Sequence, residues 1–195
     1  MKRALPALAA IAALSVASPL AAGEIKGKVV CKGLRNNEDA LVYVAAIPGK
    51  TFPVPAAHAK IDQLNLTFIP HVTAVVVGTT VDFQNSDAVL HNVFSPDACA
   101  TKFNLGTWPK GEVRSFTFKQ ECVATLLCKV HPEMEGFVVA VPTPYFAVTK
   151  ADGAYAIPNV PDGSYTLKVW HPKAKGTQKP VTVAGTATAD FEISR

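Results

Sequence analysis

The chain has 195 residues, 49% of them hydrophobic, with 19 Lys and Arg against 15 Asp and Glu and a formal net charge of +4. No basic stripe accompanies that weak positive balance, which excludes a nucleic-acid-binding surface. Beyond the first 22 residues no stretch is apolar and long enough to span a bilayer.

Residues 1–22 read as an export signal. Lys2 and Arg3 form a charged end, "ALPALAAIAALSVA" an apolar run too short and alanine-rich for a membrane span, and "SPLAAG" a small-residue cleavage region. Cleavage after Ala22 or Gly23 lowers the net charge from +4 to +2, because two basic and no acidic residues leave. The expected product is a soluble, exported protein in a bacterial periplasm, where disulfides persist. Met1 leaves with the signal, so Met134 becomes the sole methionine of the mature chain.

About 172 residues remain, room for one large or two small domains. Short runs rich in Val, Thr and Phe are separated by Gly, Pro, Asn and Asp, and no segment sustains a helical period. In chain order the expected strands are "EIKGKVVC", "ALVYVAA", "LTFIP", "VTAVVV", "TVDFQN", "HNVFS", "VRSFTF", "VATLLC", "GFVVAV", "YFAVT", "AYAIP", "SYTLKVW", "KPVTV" and "TADFEI". Asp-Gly pairs in "ADGAY" and "PDGSY" suit the positive-φ turns that join adjacent strands. The fold class is all-β.

Residues 24–50 and 144–195 together resemble a carboxypeptidase regulatory-like, transthyretin-type β-sandwich. The features are Gly27 in "IKGKVV", the "ALVYV" strand, "ADGAYAIPNVPDGSYTLKV" and the closing "VTVAGTATADFEI". On that division residues 51–143 form a second β unit inserted into a loop of the first, as exposed, adjacent loop ends permit. One continuous sandwich with extra strands is the alternative.

The chemistry concentrates in "CKVHPEMEG", residues 128–136, between the strands "VATLLC" and "GFVVAV". A tight loop there aims Cys128, His131 and Met134 at one point, and His91 opens a strand upstream in "FQNSDAVLHNVFS". A thiolate, two imidazoles and a weak thioether match the His₂Cys site with a long axial Met that holds electron-transfer copper. Read singly, Cys128 is a buried thiol, Met134 core filling and His91 a structural histidine. Glu133 and Glu135 are the competing axial donors.

This middle segment resembles a cupredoxin. "NSDAVLHNV" is similar to the first-histidine region of plastocyanin and pseudoazurin, and the Cys-x-x-His-x-x-Met loop to the short ligand loop of amicyanin. The resemblance, over most of residues 65–141, implies an eight-stranded Greek-key barrel and one type I copper ion held by His91, Cys128, His131 and Met134. It implies that Asn92 ties the two ligand loops together and that His131 stands at the rim as the exit route for electrons. Pro132 should stiffen the loop, and Phe137 is either an apolar rim contact or ordinary strand core.

Cys99 and Cys122 both fall roughly 20–26 Å from the metal if their strands run away from and toward it, at about 3.3 Å per residue. A Cys99–Cys122 disulfide fits that placement. Pairing of Cys31 with either one competes with Cys31 as a buried free thiol beside Ile25 and Val29. His58, His71 and His171 are scattered, with no spacing that marks a second copper.

The leading functional expectation is a one-electron carrier between redox partner proteins, binding no substrate and breaking no bonds, hence not an enzyme. Copper storage or delivery is the alternative, disfavoured by a single mature methionine in a tight loop. A third possibility is that the flanking sandwich serves as an interaction module that docks the carrier to a redox enzyme.

Overall fold

Alternation of apolar and polar side chains sets the first strand. In β1 (Ala22–Lys32) the side chains of Ile25, Val29 and Cys31 turn inward while Lys26, Lys28 and Lys32 face solvent. The computed structural model describes residues 22–195. The export signal read over residues 1–22 lies, but for Ala22, outside the described residues.

After β2 (Leu41–Val44) come β3 (Ala59–Leu64), β4 (Thr67–Ile69), β5 (Val72–Val76), β6 (Thr80–Asn85) and β7 (His91–Phe94). Next are β8 (Asn104–Trp108), β9 (Val113–Thr117), β10 (Cys122–Leu127) and β11 (Glu135–Val141). The chain closes with β12 (Phe146–Val148), β13 (Ala154–Pro161), β14 (Gly163–His171), β15 (Ala174–Val183), β16 (Thr186–Thr188) and β17 (Phe191–Ser194). A single 3-10 turn, Ala98–Ala100, is the only helical element among the described residues. Among the described residues no helix is long and apolar enough to cross a membrane. The protein is all-β.

The strands form four sheets. β1 pairs with β13, β16 and β17, and β2 lies between β12 and β14 in the order β12-β2-β14-β15. The chain segment between β2 and β12 builds the other two, ordered β5-β11-β10-β7-β8 and β4-β3-β6-β9. It leaves and returns at one place. Thr143 Oγ1 donates to the carbonyl of Val44 (2.7 Å), and the Val44 N–H donates to the carbonyl of Tyr145 (2.9 Å).

Three apolar seams hold the four sheets together. Ile25, Val29, Val42, Ile157, Leu167 and Val183 fill the space between the first two. Ile61, Phe68, Phe83, Trp108, Phe118 and Leu126 fill the space between the other two. The third seam joins the pairs: Leu41, Val139 and Val141 are buried with Tyr43, Phe146, Val148 and Trp170 packed against them. β11 is therefore buried on both faces, which explains why "GFVVAV" reads as a continuous apolar run.

Four differences from the sequence reading stand out. The inner segment, expected as a Greek-key barrel, is a pair of facing sheets whose edges do not join in a common ladder. Large rings between them, Phe68, Phe83, Trp108 and Phe118, are fully or almost fully buried and keep the sheets apart. β3 and β8 were not expected. "TADFEI" is divided, because the chain at Ala189 and Asp190 turns its polar groups to β1 and β13: the Tyr155 hydroxyl donates to the Ala189 carbonyl and the Lys28 N–H to Asp190 Oδ1.

Candidate metal centre

Two loops at one end of the inner sheets converge. His91 is the first residue of β7, Cys128 directly follows β10, and His131 and Met134 lie in the turn that enters β11. β7 and β10 are neighbours in one sheet, so the loops that flank them are adjacent by construction. The turn is closed by the Met134 N–H donating to the His131 carbonyl (3.1 Å). Gly136 leaves room for Phe68 to pack over it: a Cβ there would stand 2.9 Å from the Phe68 Cβ.

The donor atoms of His91, Cys128 and His131 lie within 4.8 Å of one another. The two Nδ1 atoms are 3.1 Å apart, and Cys128 Sγ is 4.0 Å from His131 Nδ1. Nitrogens at about 2.0–2.1 Å and a sulfur at about 2.3 Å from a shared ion stand roughly 3–4 Å from each other, and the 3.1 Å and 4.0 Å spacings fit one transition metal ion. The donor types fit as well, being a soft sulfur with two imidazoles and no hard oxygen among the three. His91 is fully buried and Cys128 is 3% exposed, while His131 is only partly covered. Met134 is 1% exposed and packs in the same core cluster as Cys128, whereas Glu133 and Glu135 face solvent. No other group of three such donors converges among the described residues.

Asn92 ties the loops. Its N–H points at Cys128 Sγ (3.4 Å), and its Oδ1 accepts from the Lys129 N–H (3.3 Å). Its Nδ2 donates to Asn104 Oδ1 (2.9 Å) and to the Gly106 carbonyl, which brings in β8. Phe137 is not a rim residue: it is 8% exposed and lies edge-on between His71 and Trp170.

Sequence reasoning missed Asp87. Its Oδ2 is 2.8 Å from His91 Nε2, the ring nitrogen turned away from the donor cluster. Burial works against ionisation of Asp87, but hydrogen bonds from the Leu66 N–H, from His91 and from the Asn65 N–H hold its carboxyl below the usual carboxylate range. The only trace in the sequence is an Asp four residues before a candidate ligand in "NSDAVLH".

The remaining histidines are apart from the cluster. His58 Nδ1 meets Asp82 Oδ1 (2.9 Å), His71 Nδ1 meets Asp39 Oδ2 (2.6 Å), and His171 Nε2 meets the Glu38 carbonyl (3.0 Å). Cys99 and Cys122 form a disulfide, and Cys31 is a buried free thiol.

The family model for polysaccharide lyase family 4, domain II, matches residues 143–191, about a quarter of the chain. No curated protein matches the chain. Among solved structures, the chain is similar to a purple cupredoxin from Nitrosopumilus maritimus, at 28% identity over 42% of this chain and 98% of that one, with a TM-score of 0.39. It is also similar to a reduced amicyanin variant and to an oxidised one, each at 25% identity over 53% of this chain and 99% of the other, with TM-scores of 0.42.

Proposed function

We propose that this chain is a periplasmic copper protein that binds one type I ion through His91, Cys128, His131 and Met134 and carries single electrons between redox partner proteins. The observation that carries the reading is the convergence of one sulfur and two imidazole nitrogens within 4.8 Å at one end of the inner pair of sheets. Copper, when bound, supplies a one-electron Cu(I)/Cu(II) couple.

The chain's own residues do the rest. Buried Cys128 and Met134 keep water from the inner side, and the hydrogen bonds of Asn92 hold the loops at a fixed separation. A frame that does not move between oxidation states keeps the cost of each transfer low. His131 is the donor open to solvent, and Val89, Leu90 and Val130 beside the ligands are exposed, which gives a partner an apolar surface to touch. No substrate is turned over on this reading. The outer sheets would be the carboxypeptidase regulatory-like sandwich, with residues 51–143 as the inserted cupredoxin domain. Storage or delivery of copper, the runner-up, calls for donors that exchange readily, and the burial of Cys128 and Met134 argues against it.

Adding Cu(II) to metal-free protein tests the proposal. An intense visible thiolate-to-copper charge-transfer band is expected, bleached by ascorbate, restored on reoxidation and lost in Cys128→Ser. Protein that stays colourless with Cu(II) bound overturns it.

A further inference from the structure

We propose that Asp87 is a positioning residue that fixes His91 as its Nε2–H tautomer and so leaves the Nδ1 lone pair facing Cys128 and His131. This rests on the metal-binding reading above and adds the means by which the chain prepares one ligand before any ion arrives.

A neutral imidazole carries one proton, and whichever nitrogen holds it cannot bind a metal. His91 Nδ1 is the atom 3.1 Å from His131 Nδ1, and Nε2 is the atom 2.8 Å from Asp87 Oδ2. What makes Asp87 an acceptor is visible in its other partners. Its Oδ1 accepts from the Asn65 N–H (2.8 Å), and its Oδ2 also accepts from the Leu66 N–H (3.0 Å). Two backbone donors already point at this carboxylate, which has no proton of its own to give, so the position facing His91 can only accept. The proton must sit on Nε2, and His131 then donates from its own Nδ1 across the 3.1 Å gap in the metal-free protein.

The clamp is built from both sides. Asn65 and Leu66 adopt φ of 55° and 57° in the turn between β3 and β4, which aims two successive N–H groups at one point. Leucine is uncommon in that left-handed region, and its N–H is held there by the bond to Asp87. On the other side the Asp87 N–H donates to Asn85 Oδ1 (2.9 Å), and Asn85 Nδ2 reaches the carbonyls of Val89 (2.9 Å) and Trp108 (3.0 Å). Asn85 is fully buried and the Asp87 side chain is 13% exposed, so water has little access to compete. An asparagine at position 87 has the right size but lacks one acceptor. It either turns an NH₂ toward Nε2, which favours the Nδ1–H tautomer, or strands the Asn65 N–H.

Two measurements on the whole protein test this. In the copper-free protein, long-range ¹H–¹⁵N correlations of the imidazoles should show His91 as Nε2–H in the wild type, with the proton shared or moved to Nδ1 in Asp87→Asn. Chelator competition should show copper bound about 10–100-fold more weakly by Asp87→Asn and Asp87→Ala, the usual loss for an outer partner of a ligand histidine. Circular dichroism and thermal melts check that both variants are folded. An Nδ1–H tautomer in the wild type overturns the inference, as does copper affinity in folded Asp87→Asn within twofold of wild type. If the wild type takes up no copper at all, the proposed function fails, yet the tautomer measurement still decides the role of Asp87.

Discussion

The rings of Phe137 and Trp170 meet edge-on, 5.6 Å between centroids, across the seam that joins the two pairs of sheets. Phe137 lies in β11, the strand that leaves the ligand loop, and Trp170 in β14 of the outer sheets. Leu41, Val139 and Val141 are buried in the same seam, so separating the pairs exposes a broad apolar face. The two pairs should unfold together. The chain has two tryptophans, Trp108 inside the inner core and Trp170 at the seam, which allows each to be followed alone in Trp170→Phe and Trp108→Phe. Urea unfolding of Phe137→Ala should then show both probes shifted to the same lower midpoint, with a loss of about 3–4 kcal/mol. Two separate transitions would show instead that the pairs are independent.

A second link across the pairs is pH-sensitive. The hydrogen bond to Asp39 raises the pKa of His71 above its ordinary 6.5, outweighing burial and the nearby Lys173, with Glu135 adding to the rise. A histidine whose folded pKa lies above its unfolded value contributes stability fully present below about pH 6.5 and lost as pH rises through the folded pKa. His171 works in the opposite sense, because burial lowers its pKa and favours the neutral ring. Comparing wild type with His71→Asn isolates the first effect. The difference in unfolding free energy should be greatest near pH 6 and shrink as pH rises through the folded pKa of His71. A difference that grows with pH would rule out this role for the pair.

The ligand loops were legible because each donor sits against a strand whose residues alternate or run apolar in the ordinary way. "VATLLC" and "GFVVAV" announce themselves, and the loop between them has nowhere else to go. What was hidden involves polar groups inside the fold. In β3 the inward positions are Ile61 and Gln63, and a fully buried glutamine donating to the Gln84 carbonyl does not read as core. β8 has an exposed Gly106 at φ 77°, which reads as a turn. Asp87 reads as a turn residue too, and only the hairpin packed against it makes it part of the site. The open form of the inner sheets depends on how ring volumes add up across residues far apart in sequence, which no local pattern displays.

The disulfide should affect stability and leave the site alone. Cys122 begins β10 and Cys128 follows its end, so the bridge to Cys99 is about 20 Å from the donor cluster at about 3.3 Å per residue. A cross-link closing a separation of 23 residues is worth about 3 kcal/mol in the chain-entropy account. The double variant Cys99→Ser, Cys122→Ser should lose about that much in chemical denaturation. It should bind copper with the same visible band and the same affinity. A changed band would mean that strain at the far end of β10 reaches Cys128.

Met134 offers the sharpest test of the donor set. It is 1% exposed and belongs to the same apolar cluster as Leu126 and Val138, so a purely structural role would account for its burial equally well. Met134→Leu separates the roles, because the volume is nearly conserved and the stability cost should stay below about 1.5 kcal/mol. Cys128 is untouched, so the charge-transfer band should persist. Loss of a thioether donor takes away more support from Cu(II) than from Cu(I), so the reduction potential should rise. Equal potentials in the variant and the wild type would leave Met134 as core filling and return the axial position to Glu133, Glu135 or no residue. Both glutamates face solvent, so reaching the ion would require the His131–Met134 turn to open.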